Sequence, residues 1–238
     1  MPLSPPREVK FSLLFFKSLA GLGVGIVGMI VLLIFVLLAL GTTTDGQIAG
    51  PFLSFAAIVM GFITSLVTNF LGAFLFGMLD REKYPEIRGV LRHIILLNIA
   101  IFVFLLPVYF FVIVGFGELR IVFLIASIQL VVSALASILT LDLSNSTSPR
   151  ENFIAVYGII FSILLTIIAM GGAYLIGQNF SSAAELAEGG SGGKGTTVIL
   201  FTVLPMTWFF FGFFTGAVEM VYRWIYKTWG LDSLNKMS

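Results

Sequence analysis

The stretch EGGSGGKGTT, residues 188 to 197, has the residue types of a phosphate-binding loop. Such a loop needs G-x-x-x-x-G-K-[ST], so that backbone N–H groups curl around the phosphates, the lysine neutralises them and a hydroxyl holds magnesium. Counting back from Gly193-Lys194, the first glycine should fall at residue 188, which is Glu188, and Lys194 is followed by Gly195. The Gly195-Thr196 ending has a superficial likeness to the adenylate-kinase version of the loop, but no strand precedes it. The reading is therefore a Gly/Ser-rich flexible linker, 178–196, with no nucleotide partner. Residues 181–188, SSAAELAE, contain helix formers and extend the preceding helix outward.

Other side chains capable of chemistry are few. His93 is the one histidine and there is no cysteine, which leaves no conventional transition-metal site, no thiol nucleophile and no disulfide. Ser-His, paired-carboxylate and His-Glu-metal arrangements all require residues that the apolar segments lack. Glu219 is the carboxylate read as lying well inside a helical segment, and Arg223, four residues on, is in helical reach. The expectation is an interfacial ion pair, with a proton-carrying Glu219 as the alternative. No catalytic residue, metal or cofactor is assigned.

The apolar segments carry instead small and neutral polar residues at helical spacing. Gly21, Gly25 and Gly28 share a face with Ser18; Gly61 and Gly72 share one with Ser65 and Asn69; Gly212 and Gly216 lead to Glu219 and Arg223. Glycines let helix backbones approach, and in lipid close packing and interhelical hydrogen bonds replace the hydrophobic drive. These seven glycines are assigned to helix packing, within the chain or against a second copy. Asn69, Asn98, Gln129, Ser133 and Thr166 are the intramembrane polar residues that could line a path. Trp208-Phe209-Phe210-Phe211 suits lipid or another apolar helix.

The elements that must position these residues follow from composition. Of 238 residues 58% are hydrophobic and 11% charged, with a mean hydropathy of +1.08. A soluble domain carries about 25% charged residues, so the solvent of this chain is lipid. Crossing about 30 Å of hydrocarbon takes about 20 apolar residues in a helix. Six uncharged runs of that length give expected spans at 14–40, 51–79, 92–115, 120–141, 152–177 and 197–222. The first could also be read as a cleaved signal ending near Ala39-Leu40-Gly41, but its apolar run is longer than a signal core.

Eleven of the thirteen Lys and Arg residues fall on the side shared by the N-terminus, loops 80–91 and 142–151 and the C-terminus. The other side has Arg120 and Lys194. The positive-inside rule then makes both termini cytoplasmic and places the glycine-rich linker outside. Gly50-Pro51 and Ser148-Pro149-Arg150-Glu151 are helix starts, and Pro107 and Pro205 are kink sites.

The fold class expected is all-α: one polytopic membrane domain over 1–238, a six-transmembrane-helix bundle of the cell membrane. A net charge of +1 without a basic face excludes nucleic acid. The expected partners are the bilayer and a second copy or other membrane subunits. The functional expectation is a non-enzymatic scaffold or subunit of a membrane complex; the alternative is a small channel or facilitator for a neutral solute.

Overall fold

The computed structural model describes residues 7–40, 51–115, 119–145, 149–188 and 194–229. These residues form six helices: α1 (Phe11–Leu40), α2 (Pro51–Leu79), α3 (Ile87–Gly115), α4 (Leu119–Ser144), α5 (Pro149–Glu188) and α6 (Lys194–Thr228). Five contain described stretches long and apolar enough to cross a bilayer: Phe11–Leu32, Ile58–Leu79, Ile87–Phe111, Arg150–Leu175 and Thr202–Thr228. They mark the chain as a membrane protein. The described apolar part of α4, Ile128–Ser144, is shorter.

Proline sets two of the starts, since its missing N–H is not needed in a first turn: Pro51 opens α2, and Pro149 opens α5 with Glu151 close behind. Gly50 and Ser148 lie outside the described residues. All the helices but α2 outrun the expected spans, α5 and α6 the most. α5 continues through residue 188, because no glycine or proline interrupts SSAAELAE, and α6 begins at Lys194 in spite of Gly195. Residues 178–188 of the expected linker are thus helical, and 189–193 lie outside the described residues.

The helices alternate in direction. Ion pairs and ring contacts gather the starts of α1, α3 and α5 and the ends of α2, α4 and α6 at one end, called here the charged end. α6 packs most extensively on α1 and on α5, α3 lies against α4, and α2 touches α1, α3 and α4. The α1–α6 contact is close because glycines face backbone on both sides. A Cβ on Gly25 would stand 2.5 Å from the Pro205 nitrogen, and one on Gly212 would stand 2.6 Å from the Lys17 carbonyl carbon. Gly21 lies against the Trp208 carbonyl, Gly28 against Thr68 and Leu204, and Gly216 against Leu14. Gly72 sits beneath the Trp208 ring, and Gly61 is buried.

Trp208 and Phe211 are therefore core residues, packed with Phe76, Ile94 and Leu130. The outward faces of α3 and α5 are apolar, with Val103, Phe104, Phe110, Phe111, Ile167 and Ile168 exposed.

Candidate functional site

Two polar assemblies occupy this bundle. The first lies where α2, α3 and α4 meet, and Asn98 is its hub. Its Oδ1 accepts from Asn69 Nδ2 at 2.7 Å and Ser65 Oγ at 3.2 Å, while its Nδ2 donates to Ser137 Oγ at 3.0 Å and the Ile94 carbonyl at 2.8 Å. Ser65 and Ser133 hydroxyls stand 2.5 Å apart. One carboxamide thus ties three helices, since every polar group held away from water needs a partner. Asn69 Oδ1 and Thr64 Oγ1 are buried without a hydrogen-bond partner.

Of the five polar residues expected inside the membrane, Asn69, Asn98 and Ser133 come together here. Gln129 lies further along α4, where its Oε1 accepts from the Tyr109 hydroxyl at 2.6 Å. Thr166, on α5, bonds the Ser162 carbonyl of its own helix at 2.7 Å. The five do not line one continuous surface. Ser65 and Ser137, parts of the helix stripes, complete the network.

The second assembly, at the charged end, departs most from the sequence reading. Asp80, in the turn after α2, accepts from Arg7 Nη1 at Oδ1, 2.5 Å, and from Arg7 Nη2 at Oδ2, 3.0 Å, and Lys17 Nζ lies 3.5 Å from the same Oδ2. Lys17 is 1% exposed and its ammonium also faces the Phe76 and Tyr84 rings, each 5.4 Å away. Asp142, near the end of α4, has a fully buried side chain, accepts from the Tyr84 hydroxyl and pairs with Lys83 at 3.1 Å. Its Oδ2 is buried without a hydrogen-bond partner. Lys83 Nζ also reaches the Thr215 carbonyl on α6 at 3.4 Å.

Glu219 belongs to this assembly. The ion pair expected with Arg223 gives way to Arg7, whose Nε lies 3.5 Å from Glu219, and Arg223 turns to Glu8 at 3.3 Å. The cause is the N-terminal segment, which lays Arg7 and Val9 across the ends of α1 and α6 and offers Glu219 a partner shared with Asp80. Glu219 is also not the most buried ionisable group. Lys17 lies inside the apolar stretch of α1, and Asp80 and Asp142 are more buried than Glu219. Carboxylates of three elements meet at one end.

The electrostatics are those of closed pairs. Burial alone would raise the Asp80 carboxyl, but the Arg7 hydrogen bond and the Lys17 charge outweigh it and hold the group below its ordinary value of 3.8. Burial, then the adjacent Asp142, pushes the Tyr84 hydroxyl well above its ordinary value, so it stays a donor. Arg7, Lys17 and Lys83 balance Asp80, Asp142 and Glu219, and each cation lies within ion-pairing distance of at least one of these carboxylates.

His93 is exposed at the start of α3, with Nδ1 2.9 Å from the Gly89 carbonyl. Among the described residues no group of three His, Cys, Asp or Glu side chains could hold a metal ion. The glycines 189, 190, 192 and 193 of the loop-like stretch lie outside the described residues. Searches against protein families, curated proteins and solved structures find no match.

Proposed function

We propose that the chain is a non-enzymatic integral protein of the cell membrane that serves as a scaffold or subunit of a membrane complex. It crosses the bilayer six times with both termini in the cytoplasm. The observation that carries the reading is the Asn98 network. Most of its polar groups are consumed in bonds between α2, α3 and α4, as expected of groups that fasten a bundle rather than bind a passing solute. The charged end works likewise, fastening the N-terminal segment, the α2–α3 turn, α4 and α6 through paired charges. What remains on the outside of α3 and α5 is apolar surface suited to lipid or neighbouring subunits.

The alternation of the helices supports six passes, with α4 completing its crossing through residues 119–127. The clustering of Arg7, Lys17, Lys83 and Arg150 at one end supports placing that end in the cytoplasm. Cysteines introduced one at a time near both termini, in loop 80–86 and in 189–193, test this with an impermeant thiol reagent. The first three positions should be labelled only after the membrane is opened, and the last in intact cells. Labelling of the termini on opposite sides contradicts the six-pass arrangement.

A second reading, a facilitator for a small neutral solute, is favoured by the orphaned Asn69 Oδ1 and Thr64 Oγ1. Vesicles containing the purified protein separate the two. The subunit reading expects glycerol and urea flux equal to that of protein-free vesicles, whereas flux abolished by Asn69→Leu would establish the facilitator.

A further inference from the structure

Most cations at the charged end are accounted for within the protein: Arg7, Lys17 and Lys83 pair with carboxylates of the cluster, Arg223 with Glu8, and Arg150 lies over the Tyr222 ring at 5.8 Å. The two arginines of α3 differ. Arg88 and Arg92 are exposed, one turn apart on the same face, and neither has an ion-pair partner among the described residues. Successive residues turn by about 100°, so Leu96, Ile99 and Val103 fall on the same side of α3 as the two arginines. All three are exposed, Val103 to 57%. From Arg92 to Val103 the helix rises about 16 Å, close to the roughly 15 Å depth of one leaflet of the hydrocarbon core.

We propose that this face of α3 binds an anionic phospholipid, its phosphate between Arg88 and Arg92 and an acyl chain along Leu96, Ile99 and Val103. The occupant follows from charge and length together. Two unpaired guanidiniums at headgroup level match a phosphate with net negative charge, and arginine presents planar donors suited to phosphate oxygens. The apolar stripe below them ends at the depth of an acyl chain. Gly89, between the arginines in sequence, has open space where a Cβ would stand, so nothing obstructs a headgroup approaching the helix there. Lys10, Arg81 and Lys227 are also exposed at the same end but stand singly, Lys10 just before α1, Arg81 in the turn after α2 and Lys227 in the last turn of α6.

Native mass spectrometry of the full chain, released from nanodiscs containing equal amounts of phosphatidylglycerol and phosphatidylcholine, tests the proposal. The wild type should retain phosphatidylglycerol over phosphatidylcholine by on the order of tenfold, since each basic residue near an anionic surface contributes appreciably to lipid attraction. Arg88→Gln/Arg92→Gln should abolish that preference. Lys10→Gln/Lys227→Gln, which removes the same charge elsewhere, should keep it. A preference that survives in the arginine double variant, or falls equally in both, overturns the proposal. Far-UV circular dichroism of each variant verifies that the bundle is intact, and Arg88→Lys/Arg92→Lys provides a further readout by restoring the charge.

Discussion

Replacing Asp80 with asparagine keeps the side-chain shape and removes the charge that neutralises Lys17. In the native bundle the Lys17 ammonium is 1% exposed and 3.5 Å from Asp80. At an effective dielectric of 20 that attraction is roughly 5 kcal/mol, and removing one partner of a buried pair costs about 3–5 kcal/mol. Arg7 loses less, because it is partly exposed and keeps Glu219. Asp80→Asn should therefore destabilise the bundle by about 3–5 kcal/mol, with most of the loss arising from a stranded ammonium. Lys17→Met removes that ammonium, so the Lys17→Met/Asp80→Asn double variant should be more stable than Asp80→Asn alone.

Reversible unfolding in mixed micelles, with denaturant titrated and helicity followed by circular dichroism, gives the four free energies, of the wild type, the two single variants and the double variant. The same series run against pH carries a second signature. A carboxylate held below its ordinary 3.8 contributes stability that is present above that value and lost as pH falls towards its lower folded value. The acid limb of the wild type should thus be steeper than that of Asp80→Asn. An Asp80→Asn variant within about 1 kcal/mol of wild type would refute the buried-pair argument. So would a double variant whose loss equals the sum of the two single losses.

Other outcomes follow from the packing and from the polar network. Gly25→Val and Gly212→Val place a side chain against backbone of the facing helix, which cannot rotate away, and each should lower the unfolding free energy by about 1–3 kcal/mol. Gly171→Ala, where nothing stands within 4 Å, should be neutral or stabilising in the same titration. Asn98→Leu strips partners from Asn69, Ser65 and Ser137 at once and should cost about 1–2 kcal/mol. Gln129→Leu, which frees only the Tyr109 hydroxyl, should cost less.

Much of the fold was legible because uncharged runs of spanning length have few alternatives in lipid, and prolines 51 and 149 fix two starts. The facing ends of α5 and α6 were legible only in part: the helix formers of SSAAELAE pointed to an extension of α5, whereas Gly195 beside the glycine-rich stretch hid the start of α6 at Lys194. The charged end was the main loss. A search for spans that stops at every charge treats Asp80 and Asp142 as loop residues. Their burial comes from partners far away in the chain, Arg7 being 73 residues from Asp80 and Tyr84 58 from Asp142. Lys17 did carry a signal: it lies inside the expected 14–40 span, where a lone cation needs a counter-charge. The Asn69, Asn98 and Ser133 grouping was half legible, since helical spacing shows which residues share a face but not which faces meet.

A subunit differs from a self-contained conduit in the company it keeps in the membrane. Extraction into lipid nanodiscs without detergent, followed by native mass analysis of the full chain and everything that accompanies it, measures this directly. The expected result is an assembly of fixed stoichiometry, either copies of the chain or the chain with other membrane subunits. A lone monomer as the single species, with no accompanying protein, would contradict it.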